Sequence, residues 1–105
     1  MEIKSNYGMN KTEFINVINS KSETVFLDIR EPEELHVEET IPGSKNIPMG
    51  KVFTAVADGL LTKEKPIIVF CRSGKRASIV ERELLAMGFD IQALEGGLQA
   101  LRNNL

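Results

Sequence analysis

An unbroken apolar run, "PIIVF" at residues 66–70, meets the lone cysteine of the chain, Cys71, and then the small and cationic residues "RSGKR". A strand that is apolar at every position has both faces covered, as parallel strands in α/β sheets do. Beyond the turn the pattern changes to helical spacing, with Ala77, Val80, Leu84 and Met87 on one face and Gly88 as the exit. The turn therefore joins the carboxyl end of a buried strand to the amino end of a helix, the place where open α/β sheets bind ligands.

The rest of the chain fits the same architecture. Asn10 and Glu13 have capping-box spacing and Met9 and Phe14 are placed as a hydrophobic staple, which predicts a helix over 11–18. "TVFLDI" at 24–29 predicts a second buried strand. Pro32 suits the first turn of a short helix, and Glu31, Glu33 and Glu34 are favourable at its positive end, a solvated acidic start rather than a metal site. "IPGSKNIP" at 41–48 predicts a turn and a short edge strand. Over 49–60 the residues Val52, Phe53, Val56 and Leu60 recur at helical spacing as a core stripe, with Gly59 as the exit. "IQAL" at 91–94 is a final strand, and a last helical turn covers 98–102. Alternating strands and helices imply an α/β sandwich around a mainly parallel sheet. With 105 residues and no linker-like tract or internal repeat, residues 1–105 are expected to form one domain.

Charge and cysteine usage narrow the function. The formal net charge of −2 supplies no overall basic field, so neither nucleic acid nor an anionic membrane is an expected partner. The longest apolar run is too short to cross a bilayer, the first residues lack the apolar core of a signal peptide, and a cytoplasmic location is expected. One cysteine and one histidine can form no internal disulfide and no structural zinc set, and no metal or other cofactor is expected. Chemistry at Cys71 must therefore resolve onto another molecule.

A cysteine at a helix amino end, beside Arg72, Lys75 and Arg76, has surroundings that favour the thiolate. Ser73 and Gly74 let the backbone curl so that successive N–H groups point at a common centre, which suits an anion or an anionic transition state. The alternative is an inert cysteine packed as a small hydrophobe, but that gives no reason for the small and cationic residues that follow.

At these residues the chain resembles a single-domain rhodanese, a sulfurtransferase that carries sulfane sulfur as a persulfide on one cysteine. "CRSGKR" is similar to the active loop of that family, "VFLDIREPEEL" to its aspartate-x-arginine segment, "IPGSKNIP" to its turn and short strand, and "MGFDIQALEGGLQAL" to its closing strand and diglycine turn. The pieces fall in the order found in the family. Two positions depart from the pattern: Thr40 stands where a histidine is common, and Leu101 where a tryptophan often follows the diglycine.

The resemblance implies a rhodanese-like three-layer sandwich and thiosulfate sulfurtransferase activity, with Cys71 as the carrier and the loop Arg72, Ser73, Gly74, Lys75 and Arg76 as the substrate site. The expected donor is thiosulfate or another persulfide. The expected acceptor is a thiol (a low-molecular-weight thiol, thioredoxin or a persulfide-carrying protein) or cyanide. Arg72 and Arg76 are assigned to the sulfonate of thiosulfate, Lys75 to local positive charge, and the N–H groups of 72–76 to the outer sulfur. Asp28 and Arg30 are expected to steady the loop through an ion pair or a capping contact, and Gly96 and Gly97 form a tight turn. His36 is expected to be exposed. A related group on the same fold, phosphatases and arsenate reductases, places an arginine on the sixth residue after the cysteine. Here Arg76 is the fifth and Ala77 the sixth, which favours sulfur over phosphorus. A non-catalytic interaction module is the remaining alternative.

Overall fold

The computed structural model describes residues 7–20 and 22–102. In chain order its elements are α1 (Lys11–Asn19), β1 (Val25–Asp28), α2 (Glu34–Val37), β2 (Lys45–Asn46), a 3-10 turn (Met49–Lys51), α3 (Val52–Ala57), β3 (Ile67–Phe70), α4 (Lys75–Ala86), β4 (Ile91–Ala93) and α5 (Gly97–Arg102). The four strands form one sheet in the order β2-β1-β3-β4, and every pairing is parallel.

The central position of β3 follows from its composition. All four of its residues are buried, and their alternation divides the core in two. Ile68 and Phe70 join Met9, Phe14, Leu94 and Leu98 beneath α1 and α5, while Ile67 and Val69 join Val52, Ala55, Val80 and Leu84 beneath α3 and α4. Helices thus cover both faces, the three-layer α/β arrangement that the alternating pattern predicts. Cys71 continues the odd-numbered alternation, so its side chain falls on the α4 side of the sheet.

At α1 the local signals are all present. Asn10 Oδ1 accepts from Glu13 N at 2.9 Å and Glu13 Oε1 accepts from Asn10 N at 3.2 Å, closing the capping box. Met9 and Phe14 are buried in one cluster, and the Phe14 ring meets Phe26 edge-to-face at 5.7 Å.

Helix faces were harder to place. The apolar stripe over 49–60 is only partly core: Val52 and Ala55 are buried, whereas Phe53 and Leu60 are 50% and 62% exposed. The reason is length, because a 3-10 turn occupies the first three residues and the α-helical part ends at Ala57. Met87 is likewise exposed, as it lies at the cap of α4, beyond the last helical residue. A charged residue, Glu81, stands in the buried face of α4 instead. Its Oε2 accepts from Gly8 N at 2.6 Å and from Ala93 N at 2.9 Å, so it ties the edge of β4 to the segment preceding α1. A buried carboxylate is tolerable there because backbone donors that the sheet leaves unpaired converge on it.

Candidate active site

The loop after β3 runs from Cys71 to Gly74 and enters α4 at Lys75. Gly74 adopts φ +97°, a left-handed conformation that glycine supplies at little cost, and this turns the chain so that two N–H groups face the sulfur. Cys71 Sγ accepts from Gly74 N at 3.2 Å and from Ala77 N at 3.4 Å. Gly74 lies within the run 72–76 expected to supply donors; Ala77 is one residue beyond it. Ala77 N is among the first N–H groups of α4, which have no partner inside the helix, so the sulfur caps the helix that follows it. Sγ thereby sits at the positive end of α4. The residue is completely buried, while Arg72, Ser73 and Lys75 beside it are exposed.

Behind the loop lies the diglycine turn. Leu98 N donates to Cys71 O at 2.9 Å and Gln99 N to Arg72 O at 3.0 Å, so the amino end of α5 holds the loop carbonyls. Gly97 has φ +59°, and a Cβ there would collide with Cys71 O and lie 2.6 Å from Arg72 O. The glycine is thus needed for close approach to the loop as well as for the turn. Gly97→Ala is expected to push α5 off the loop and to cost about 1–3 kcal/mol of stability, as overpacking does. Urea titration checks this; a cost under about 0.5 kcal/mol would mean that α5 does not set the loop.

The three loop cations have different fates. Arg76 forms a bidentate pair with Glu34 of α2, Nη1 to Oε2 at 2.8 Å and Nη2 to Oε1 at 2.9 Å. The guanidinium holds the Glu34 carboxyl down at a pKa of about 2, helped by a bond from Glu31 N. Glu34 in turn raises the pKa of Arg76, and the nearby Cys71 adds to that. Glu34 is therefore committed to a partner 42 residues away rather than being part of a solvated helix start. Arg72 makes no side-chain ion pair or hydrogen bond among the described residues, and Lys75 is exposed.

Asp28 and Arg30 form the buried ion pair that the sequence suggested, at 2.9 Å. Their wider contacts secure the segment after α2: Arg30 Nη1 donates to Glu38 O at 3.0 Å and Thr40 Oγ1 donates to Asp28 Oδ2 at 2.6 Å. Thr40 thus completes the buried carboxylate at the position where histidine is common in the resembling family, and Leu101 packs beside Leu98 against the α1 side of the sheet. Asn46 Nδ2 bonds both Asp28 O and Arg30 O, fixing β2 to the same corner. His36 is exposed.

A depression of about 470 Å³ opens between α2 and the loop. Its walls carry Arg30, Arg72 and Arg102 together with Glu34, Val37, Glu38 and Glu39; Cys71 is not among them. Among the described residues no group of three or more His, Cys, Asp or Glu side chains is placed to hold a metal ion. No helix among them is long and apolar enough to cross a membrane.

The model of the family described as rhodanese-like domain matches residues 10–104. A protein of Bacillus subtilis (strain 168), provisionally named a sulfurtransferase, is 35% identical over 83 residues, covering 79% of this chain and 78% of that protein. A thiosulfate sulfurtransferase of Escherichia coli (strain K12) is 28% identical over 74 residues, covering 70% of each. The chain also matches a tRNA sulfurtransferase of Desulfurococcus amylolyticus at 29% identity over 83 residues, 79% of this chain but only 16% of that much longer protein. Among solved structures, a rhodanese-related protein from Thermoplasma volcanium superposes with a TM-score of 0.79 at 26% identity over 93% of both chains. A Rhodopseudomonas palustris protein of unknown function, described as a candidate tyrosine phosphatase, gives a TM-score of 0.80 at 23% identity, covering 92% of this chain and 80% of that one. That second likeness is one of fold alone.

Proposed function

The chain belongs to the rhodanese-like domain family, and on that premise we propose that it is a sulfurtransferase that carries sulfane sulfur as a persulfide on Cys71. The observation that carries this reading is the seat of the sulfur, held by Gly74 N and Ala77 N at the head of α4. Two N–H donors and the helix end face the sulfur, where negative charge resides as it attacks and as it leaves.

In the first half-reaction the Cys71 thiolate attacks the outer sulfur of thiosulfate. A sulfur–sulfur bond to Sγ forms, the bond to the sulfonate sulfur breaks, and sulfite leaves with the electron pair. In the second, an acceptor thiol or cyanide takes the outer sulfur and returns Cys71 as thiolate. Sγ is buried at rest, so the donor enters by displacing its exposed neighbours Arg72 and Ser73, side chains that can move at little cost. Arg72 attracts the sulfonate and Lys75 adds charge. Arg76, neutralised by Glu34, steadies the loop rather than clamping an oxyanion. No arginine stands sixth after Cys71, where the phosphatase loop has its clamp, and this register supports sulfur over phosphoryl chemistry. The cytoplasmic setting and the single domain expected from the sequence belong to the same proposal.

Intact mass after brief exposure to thiosulfate and desalting tests it. The protein is expected to gain one sulfur, about 32 Da, on the covalent carrier, and to lose it to cyanide. Folded protein that fails to load at any pH from about 6 to 9, the range in which cysteine nucleophiles work, would remove thiosulfate as donor.

A further inference from the structure

We infer that the depression between α2 and the Cys71 loop is the acceptor site, and that the acceptor is a small thiol bearing both a carboxylate and an ammonium group. The carboxylate pairs with Arg72 and the ammonium with Glu39. This rests on the persulfide reading above and names its second substrate.

The charges of the depression carry the argument. Most of them are already paired: Arg30 with Asp28, Glu34 with Arg76, and Arg102 with Glu38 through Nε and Oε2 at 3.0 Å. Among the described residues, the Arg72 guanidinium and the Glu39 carboxylate are left without a side-chain partner. Glu38 is committed as well, because its Oε1 is buried 3.9 Å from the Arg30 Nη1 atom. One free cation and one free anion on the walls of a cavity match a zwitterion. They match a dianion such as thiosulfate poorly, since the unpaired charges sum to zero.

Size agrees. At about 470 Å³ the depression falls in the range of about 300–1,000 Å³ that takes organic ligands. Arg72 joins the two functions, because it lines the depression and follows Cys71 directly. A ligand carboxylate on Arg72 therefore anchors the molecule next to the residue bearing the persulfide.

In the transfer, the acceptor thiolate bonds to the outer sulfur as the bond from that sulfur to Cys71 Sγ breaks. Sγ leaves as thiolate, the sulfane sulfur keeps its oxidation state, and no oxidant or reductant enters.

The test uses full-length protein loaded with thiosulfate, desalted and checked by mass, then mixed with L-cysteine, cysteamine, mercaptoacetate or 2-mercaptoethanol. These four carry both charges, the ammonium alone, the carboxylate alone, or neither. The ratio of wild-type to variant unloading rate is compared across thiols, so intrinsic nucleophilicity cancels. Glu39→Gln is expected to slow cysteine and cysteamine about threefold at low salt and to leave the other two unchanged. Arg72→Gln is expected to slow cysteine and mercaptoacetate about threefold more than it slows cysteamine and 2-mercaptoethanol. A cysteine-containing tripeptide follows the same ratios if the acceptor is a peptide rather than a free amino acid. Equal ratios for all four thiols overturn the inference while leaving the sulfurtransferase reading intact.

A second arm does not depend on loading. Titration of unloaded protein with S-methyl-L-cysteine is expected to shift the backbone amide resonances of Val37, Glu39 and Arg72 saturably, with about threefold weaker binding in Glu39→Gln. Absence of a saturable shift overturns the site. Saturable binding by protein that never loads removes thiosulfate as the donor instead and leaves the site standing.

Discussion

Cys71→Ser is expected to abolish sulfur loading, lowering its rate about a thousandfold or more, as removal of a covalent nucleophile does. The fold is expected to survive. Serine keeps the shape of the side chain, and its oxygen inherits the N–H bonds that Sγ receives from Gly74 and Ala77, so the buried hydroxyl is not left without partners. The loss is therefore chemical: a serine hydroxyl is a far weaker nucleophile toward sulfur than a cysteine. Mass spectrometry after thiosulfate treatment reads the loss, and the urea unfolding midpoint reads the fold. Sulfur gained by the serine variant would place the carrier elsewhere. The same variant separates sulfur from phosphorus chemistry. Robust hydrolysis of an aryl phosphate by wild type, abolished by Cys71→Ser, would replace the sulfurtransferase reading with a phosphatase one. The register of Arg76, fifth rather than sixth after Cys71, argues that this hydrolysis will be absent.

Local features of this site are legible in the sequence, and distant pairings are not. The apolar run 67–70, the abrupt stop at Cys71 and the spacing of Ala77, Val80 and Leu84 announce a buried strand, a loop and a helix, all within about 20 residues, a range over which backbone preference and periodicity act. The capping box at Asn10 and Glu13 is equally local. Glu34 with Arg76 and Thr40 with Asp28 are different cases. Each depends on how the segment 30–46 folds over the carboxyl ends of β1 and β3, which composition and spacing do not encode. The consequence for the site is large, because three cations in "CRSGKR" read as three available charges, whereas one is already committed. Glu81 was hidden for a related reason. Its partners, Gly8 N and Ala93 N, come from opposite ends of the chain, and helical spacing alone marks its position as a gap in an apolar face.

Replacing Arg30 with methionine is expected to cost about 3–5 kcal/mol of folding stability, the range for breaking a buried ion pair from one side. Arg30 and Asp28 are both essentially unexposed, and the Asp28 carboxylate receives Arg30 Nε at 3.1 and 3.2 Å and Nη2 at 2.9 Å. Methionine fills much of the volume but returns none of these donors. Asp28 is then left with Thr40 Oγ1 and the backbone N of residue 30, too few for a buried charge. The Glu38 carbonyl loses its donor at the same time, which loosens the segment carrying Glu38 and Glu39. Urea titration measures the cost, and the double variant Asp28→Leu with Arg30→Met supplies the control. If the penalty comes from the stranded carboxylate, removing that carboxylate recovers much of the loss despite a second change in the core. Recovery of stability without recovery of acceptor selectivity is the expected pattern, because Arg30 also holds the wall of the depression through Glu38 O. A cost under about 1 kcal/mol for Arg30→Met would mean that Asp28 finds water or a proton, and that the pair does not anchor this corner of the sheet.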